Sequence, residues 1–579
     1  MHRSTLRLLP LLALAALPAA ARAQAPADPW RPLTLPRTHA PRPTAPAITP
    51  GDLRTRLYAF ADDSMKGRML ATPGNARAVE YIAAEARRLG LEPAGDNGTF
   101  FQAVPVVERY FDEGSAFSVN GTALAPWTDY VARDNGPGTR SLDGVQAIWA
   151  GTMADSANLL DPAAVAGKLV VVGMGPGFVG NPPGTVNRNA MTARYRSAAG
   201  IAFAGLDKIT PQSLDIYRQP LQGMHRDSGP SLPAYIYVTE RVAALMLGAD
   251  PATLRPGAPG RTVSGTPRFA ERPTAVPARN VVAVLRGSDP VLSREYVAIG
   301  AHNDHVGTGE PVAHDSVYVV NHLFREQGAD DPAPRLTPEQ QARVNGVLAE
   351  IRRRTGGASA RMDSVYNGAD DDGSGSVSVL EIAQYFASRP RPKRSLLFVW
   401  HVAEEEGLYG AEHFTDHPTV PRESIVAQLN IDMIGRGGAG DVTGVAKEGG
   451  ELRGGPGYLQ LVGSRRLSTE LGDLAETVNR TGSHGLRFDY GMDANGHPQV
   501  IYCRSDHYEY ARYGIPIIFF TTGGHADYHQ VTDEPQYIDY AHMAQVASYI
   551  ADLARTVANL DHRPVVDHPK PDPNGRCVQ

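Results

Sequence analysis

Four clusters of acidic residues and histidines each follow directly on an apolar run. Tyr296 to Ile299 leads into Ala301-His302-Asn303-Asp304-His305, and Leu396 to Val399 leads into Ala403-Glu404-Glu405-Glu406-Gly407. Ile425 to Leu429 leads into Asn430-Ile431-Asp432-Met433, and Ile515 to Phe520 into Asp527-Tyr528-His529. A fifth acidic group, Gly368-Ala369-Asp370-Asp371-Asp372-Gly373-Ser374-Gly375, opens an apparent helix from Ser374 to Arg389, and its glycines permit a tight turn there. Imidazoles and carboxylates gathered without thiolates suit zinc or a similar divalent ion, and three protein ligands per ion leave a position for water. Two ions would share a set of this size.

The apolar runs must bring these clusters together. In open parallel sheets, ligands bind in the crevice beyond the carboxyl ends of the strands, so the four runs, as neighbouring strands, would deliver all four clusters to one sheet edge. After Arg279, apolar strands alternate with helical segments. That pattern predicts an α/β fold with a mostly parallel central sheet flanked by helices. A polar insert, about 308 to 365, separates the first two strands. Its stretch from Pro338 to Arg354 reads as an amphipathic surface helix, and the insert is placed to act as a lid. From Thr49 to Leu91 the apolar spacing is helical. From about 110 to 275, short apolar runs alternate with Gly and Pro turns and predict a separate, strand-rich domain.

The chain has 579 residues, well beyond the roughly 250 to 300 at which a single core stops growing. At least two domains are expected. With 42% apolar and 20% charged residues the bulk is a folded globular protein, not a disordered or fibrous one. A net charge of -6 and the lack of a basic stripe exclude a nucleic-acid surface, leaving small molecules or peptides as partners. The oligomeric state stays open.

Arg3 and Arg7 precede the apolar run Leu8 to Ala20, and Ala21-Arg22-Ala23 offers a signal-peptidase site, so residues 1–23 read as a signal peptide. The mature chain would start near Gln24 in a secreted or periplasmic protein, with no stable membrane anchor. Residues 24–47 form a Pro-rich leader. With only Cys503 and Cys577, no disulfide framework supports the fold, and one bridge or two free thiols are both open.

The motifs AHNDHVG, NGADDDGSG, AEEEGLYG, NIDMIG and YHQVTDE resemble, in this order, those of the M28 family of zinc aminopeptidases. The resemblance runs from about residue 48 to 560. It implies a discontinuous peptidase domain (48–110 and 276–562) and a C-terminal tail (563–579). The inserted domain, 111–275, resembles a protease-associated (PA) domain through Ala166-Gly167-Lys168-Leu169-Val170-Val171-Val172 and the run Arg194 to Ile201. Carried over by position, the family pattern implies two zinc ions per chain, with His302 and Asp432 on one, Glu405 and His529 on the other, and Asp371 bridging. Asp370 or Asp372 takes that place if the turn slips by one residue. Glu404 is then the general base, Asp304 the acceptor of the second N–H of His302, and Tyr528 a donor to the oxyanion.

The implied activity is hydrolysis of the N-terminal peptide bond of peptides. Carboxypeptidase, dipeptidase, glutaminyl cyclase-like and non-catalytic homologues are the alternatives on the same fold. His305, His401, His507 and His525 are read as ordinary core or surface histidines, and Cys503 as structural. No G-x-S-x-G elbow or H-E-x-x-H motif is present to support a serine hydrolase or a gluzincin.

Overall fold

A computed structural model describes residues 30–134, 138–174, 188–229, 231–356 and 361–579. The expected signal segment at 1–23 lies outside the described residues. Helix α1 (Pro50–Phe60) starts where Thr49 Oγ1 accepts the Asp52 N–H at 3.1 Å, with proline at the first turn, where its missing N–H costs nothing. It buries Leu53, Leu57 and Phe60. Helix α2 (Pro73–Arg88), capped by Thr72, buries Val79, Ile82 and Ala86.

Six strands build the centre of a nine-stranded sheet: β1 (Ala278–Leu285), β2 (Tyr296–His302), β3 (Ser395–His401), β4 (Ile425–Ile431), β5 (Tyr458–Val462) and β6 (Ile517–Thr521). Their spatial order is β1-β3-β2-β4-β6-β5. The four cluster-bearing strands, β3, β2, β4 and β6, are mutually parallel, whereas β1 and β5 run antiparallel to their neighbours. The parallel character expected from the sequence therefore belongs to the centre of the sheet, and its flanks are mixed.

Side chains alternate between two covered faces. Val297, Ile299, Ala301, Leu396, Phe398 and Trp400 pack into one core with α1, α2, α3 (Gly375–Ala387) and α4 (Tyr540–Asn559). Tyr296, Ala298, Leu397 and Val399 pack into the core on the other side. Every residue of β2, β3 and β4 is buried. At roughly 1.5–3 kcal/mol per fully buried aliphatic side chain, the strand ends are held rigidly. His302 pairs with His401 in the β2–β3 register, so these two strands finish level.

A second unit with its own core interrupts the chain of the nine-stranded sheet. Strand Val106–Phe111 lies between Leu221–Met224 and Phe269–Pro273, and an eight-stranded sheet holds the parallel run 145–152, 169–173, 200–204, 234–238. By sheet membership the crossing into this unit falls at Val106, a few residues before the expected 111. Val106 and Met224 pack against Val402 and Ala403, immediately before Glu404, and Arg226 pairs with Glu412 at 2.6 Å.

The insert between β2 and β3 is a hairpin (Thr308–Ala313 with Met362–Val365) enclosing helices His314–Phe324 and Pro338–Arg354. The second helix carries a full capping box, with Thr337 and Gln340 bonded reciprocally. At the far end of the chain, Cys503 and Cys577 form a disulfide. The Gln579 side chain donates to Met492 O at 2.6 Å and accepts the Tyr502 N–H at 2.9 Å.

Candidate metal centre

The sheet edge collects the clusters as one buried site. β2 ends at His302; β3 is followed by Ala403 in a left-handed conformation and then Glu404 and Glu405. β4 is followed by Asp432, and the loop after β6 brings in Tyr528 and His529. Asp371 arrives in the irregular turn before α3.

The three consecutive aspartates divide their work. Asp372 accepts the N–H groups of His302 (3.1 Å), Gly375 (2.8 Å) and Met433 (3.3 Å). Asp370 Oδ1 accepts Gly435 N–H at 2.6 Å, and its Oδ2 lies 3.2 Å from His525 Nε2. Only Asp371 turns its carboxylate into the cluster. Its Oδ1 lies 3.1 Å from His302 Nε2, which in turn is 3.7 Å from Asp432 Oδ1. Its Oδ2 lies 2.8 Å from His529 Nε2, and that nitrogen is 3.0 Å from Glu405 Oε2.

Two groups of donor atoms result, each confined within 4.8 Å: His302, Asp371 and Asp432, and His305, Asp371, Glu405 and His529. Donors about 2.0–2.1 Å from a tetrahedral zinc ion lie roughly 3.3 Å apart, close to these spacings. Asp432 Oδ1, in the first group, and His529 Nε2, in the second, are buried without a hydrogen-bond partner, as expected of atoms that each face an ion position. The donor set therefore fits a pair of divalent ions.

Charge points the same way. Asp371, Glu404, Glu405 and Asp432 share this buried space, while the buried Arg68 guanidinium donates to the backbone oxygens of Asn367 (2.6 Å) and Gly368 (2.8 Å). Burial pushes the Glu404 carboxyl well above its ordinary range; Asp432 and Glu405 reinforce the shift and His302 opposes it. Burial would raise Asp371 too, but His302 and His529 hold it well below the usual carboxylate range. Burial opposes a charge on His302, yet Asp432 and Glu404 raise its pKa well above normal. A surplus of carboxylate is what a bound cation relieves.

The structure departs from the expected hydrogen bond between Asp304 and His302. Asp304 Oδ1 is 3.7 Å from His302 Nδ1, which has no hydrogen-bond partner. The Asp304 carboxylate instead accepts the backbone N–H groups of Glu404 (3.2 Å) and Glu405 (3.4 Å).

Other groups went unassigned in the sequence. His305, taken as ordinary, is buried with Nδ1 2.7 Å from Glu405 Oε1. Asp533 accepts the N–H groups of Asp370 (3.0 Å) and Asp371 (3.1 Å), and Ser505 donates to Asp432 Oδ2 at 2.7 Å. Asp533 lies in the YHQVTDE motif, but nothing in its spacing gives it a role. His401 contacts Tyr510 and Asp506. His507 stacks on Phe519.

A cavity opens from the cluster. Met433, Met492, Ile501 and Phe519 give it apolar walls, and Glu404, Arg504 and Tyr528 face it. The insert supplies Gln327 and Asp330 at its edge: Asp330 lies 3.3 Å from Arg504, and the Ala329 N–H donates to Tyr528 O at 3.0 Å. A third grouping, His314, Asp363 and Glu534, is already served by a cation, since Arg361 pairs with both carboxylates.

Residues 357–554 match peptidase family M28. A vacuolar membrane protease of Candida tropicalis is 42% identical over 98 residues, which is 17% of this chain and 10% of that protein. An aminopeptidase of Pseudomonas aeruginosa is 34% identical over 172 residues, 24% of this chain and 32% of that protein. The chain thus spans about a tenth to a third of the length of these curated relatives. Among solved structures, an aminopeptidase from Aneurinibacillus sp. strain AM-1 aligns with a TM-score of 0.45 at 14% identity, covering 90% of this chain and 97% of the other. A zinc aminopeptidase from Bacillus subtilis aligns with a TM-score of 0.43 at 14% identity, covering 88% and 95%.

Proposed function

The chain carries a peptidase family M28 segment at residues 357–554, and on that premise we propose that it is a secreted aminopeptidase using two zinc ions to hydrolyse the N-terminal bond of peptides. The observation that carries this reading is the split of Asp371, whose two oxygens face the two groups His302–Asp432 and Glu405–His529. His302, Asp371, Asp432, Glu405 and His529 are the residues that would hold the ions. Bound there, zinc would supply Lewis-acid chemistry, polarising a carbonyl oxygen and lowering the pKa of water at the site.

The rest of the chemistry falls to the chain. Glu404 lines the cavity beside both groups and takes the proton of the attacking water, then returns it to the leaving nitrogen. Tyr528 faces the same space, where its hydroxyl donates to the oxygen that gains charge. Met433, Met492, Ile501 and Phe519 form the wall for the first side chain. The relative from Pseudomonas aeruginosa, described as an aminopeptidase, supports the N-terminal preference.

The secreted location rests on the signal-like residues 1–23. No helix among the described residues is long and apolar enough to cross a membrane. The second unit, which we read as a PA-like domain, packs on Val402–Ala403 and so bears on the segment carrying Glu404.

The test is release of free amino acid from matched peptides with open or acetylated N-termini, with and without a chelator. Open peptides should be cleaved only in the absence of chelator, and acetylated ones left intact. Equal cleavage of both would replace the aminopeptidase reading with a carboxypeptidase or endopeptidase.

A further inference from the structure

The carboxylates at the two ends of the cluster share an arrangement. Asp432 has Oδ2 held by Ser505 Oγ at 2.7 Å, while Oδ1 is left without a hydrogen bond on the side of His302. Glu405 has Oε1 2.7 Å from His305 Nδ1, while Oε2 faces His529 Nε2 at 3.0 Å. Each carboxylate therefore has one oxygen tied to the protein and the other presented to the cluster.

His305 is built into this place. Its ring is buried and edge-on to His529, with centroids 5.3 Å apart. It packs against Gly368, where a Cβ would come within 2.6 Å of the ring, and where the backbone φ of +56° also favours glycine. The His305 N–H is directed to Arg68 O at 3.4 Å. The preceding residue, Asp304, accepts the N–H groups of Glu404 and Glu405. Adjacent residues of one loop thus hold the Glu404–Glu405 segment by backbone and by side chain.

An ionised carboxylate only accepts hydrogen bonds, so the short contact places a proton on Nδ1. Nε2 is buried without a partner, so the contact with Glu405 is the hydrogen bond that the ring makes.

We propose that His305 is a positioning residue: its Nδ1–H occupies Glu405 Oε1, restricts Glu405 to one ligand oxygen, and sets the zinc affinity of the Glu405–His529 position independently of the His302–Asp432 position. This rests on the two-zinc reading above. The competing role, direct ligation by the ring, makes a different prediction for amide substitutions. An asparagine amide nitrogen reaches the place of Nδ1 and can donate to Oε1. A glutamine amide extends toward the place of Nε2 and cannot, and leucine has no donor.

The experiment is competition of the full chain against a chromophoric zinc chelator for wild type, His305→Asn, His305→Gln and His305→Leu, with thermal unfolding confirming that each variant folds. Loss of an outer hydrogen bond to a ligand weakens metal binding by roughly 10- to 100-fold. That loss is expected for one of the two zinc ions in the Gln and Leu variants, with the Asn variant close to wild type. If Asn loses as much as Gln and Leu, the ring itself ligates and the positioning role is overturned; if no variant changes either affinity, His305 is only structural. A wild-type chain that does not bind two zinc ions would instead remove the two-zinc reading, a result separable from any of these.

Discussion

The backbone N–H of Asp371 donates to Asp533 Oδ2 at 3.1 Å, so a carboxylate of the loop after β6 sets the orientation of the residue shared by both donor groups. The neighbouring Asp370 N–H bonds to the same carboxylate at 3.0 Å. Asp533→Ala should lower both zinc affinities together, by about 10- to 100-fold. A chelator competition in which only one affinity falls would show that Asp533 does not act through Asp371.

Glu404 lies on the cavity but in neither donor group. Glu404→Gln is expected to keep the zinc content of wild type and to lose about 10²- to 10⁴-fold in kcat, the usual contribution of a general base. Turnover near wild type in a variant with full zinc would place the base elsewhere.

His507 gives a pH dependence away from the cluster. Burial lowers its pKa from 6.5 to about 3. Between those values the unfolded chain binds a proton that the folded chain does not, so stability falls as pH drops below 6.5, by about 1.4 kcal/mol per pH unit. Urea unfolding at pH 7.5 and 5.0 should show wild type losing about 2 kcal/mol more than His507→Phe over that interval. Parallel losses in the two proteins would mean that His507 can take up a proton in the folded state.

The bond between Cys503 and Cys577, 74 residues apart, ties the C-terminal tail to a wall of the cavity. Arg504 and Ile501 line that wall beside Cys503, and Gln579 holds the Met492 and Tyr502 backbone. Loop closure of this length contributes about 4 kcal/mol in the chain-entropy account. Cys503→Ser with Cys577→Ser should lower the unfolding midpoint and raise KM more than it changes kcat. An altered kcat with an unchanged KM would argue against a role of the tail in shaping the substrate wall.

Much of the site is legible in the sequence because His302, the Glu404–Glu405 pair and Asp432 stand just at or past the ends of strands whose residues are all buried. Strand-end position is a local property, and apolar runs report it. Choosing among Asp370, Asp371 and Asp372 is not local. It is decided by the amides of Gly435, Gly375, Met433 and His302, which occupy the outer two carboxylates.

His305 is hidden for the same reason, since what sets it apart is its contact with Glu405, a member of the donor groups 100 residues away. The parallel centre of the sheet followed from alternating strands and helices, but the antiparallel placement of β1 did not. Nor did the crossing at Val106, whose strand partners lie more than 100 residues further along the chain. Two cysteines in a sequence are compatible with thiols or a bridge; it is the fold that brings the Cα atoms of Cys503 and Cys577 to 5.8 Å and joins them.

Asp371, with one oxygen toward each donor group, is the residue proposed to join two ion positions in one catalytic site. The most direct test is zinc content by elemental analysis, measured with peptide hydrolysis while zinc is returned to chelator-stripped wild type and Asp371→Ala. Two zinc ions per wild-type chain are expected, with full activity only as the second binds, and neither tight zinc nor activity in Asp371→Ala. Stoichiometric zinc retained by Asp371→Ala, or a fully active wild type holding one ion, would contradict that role.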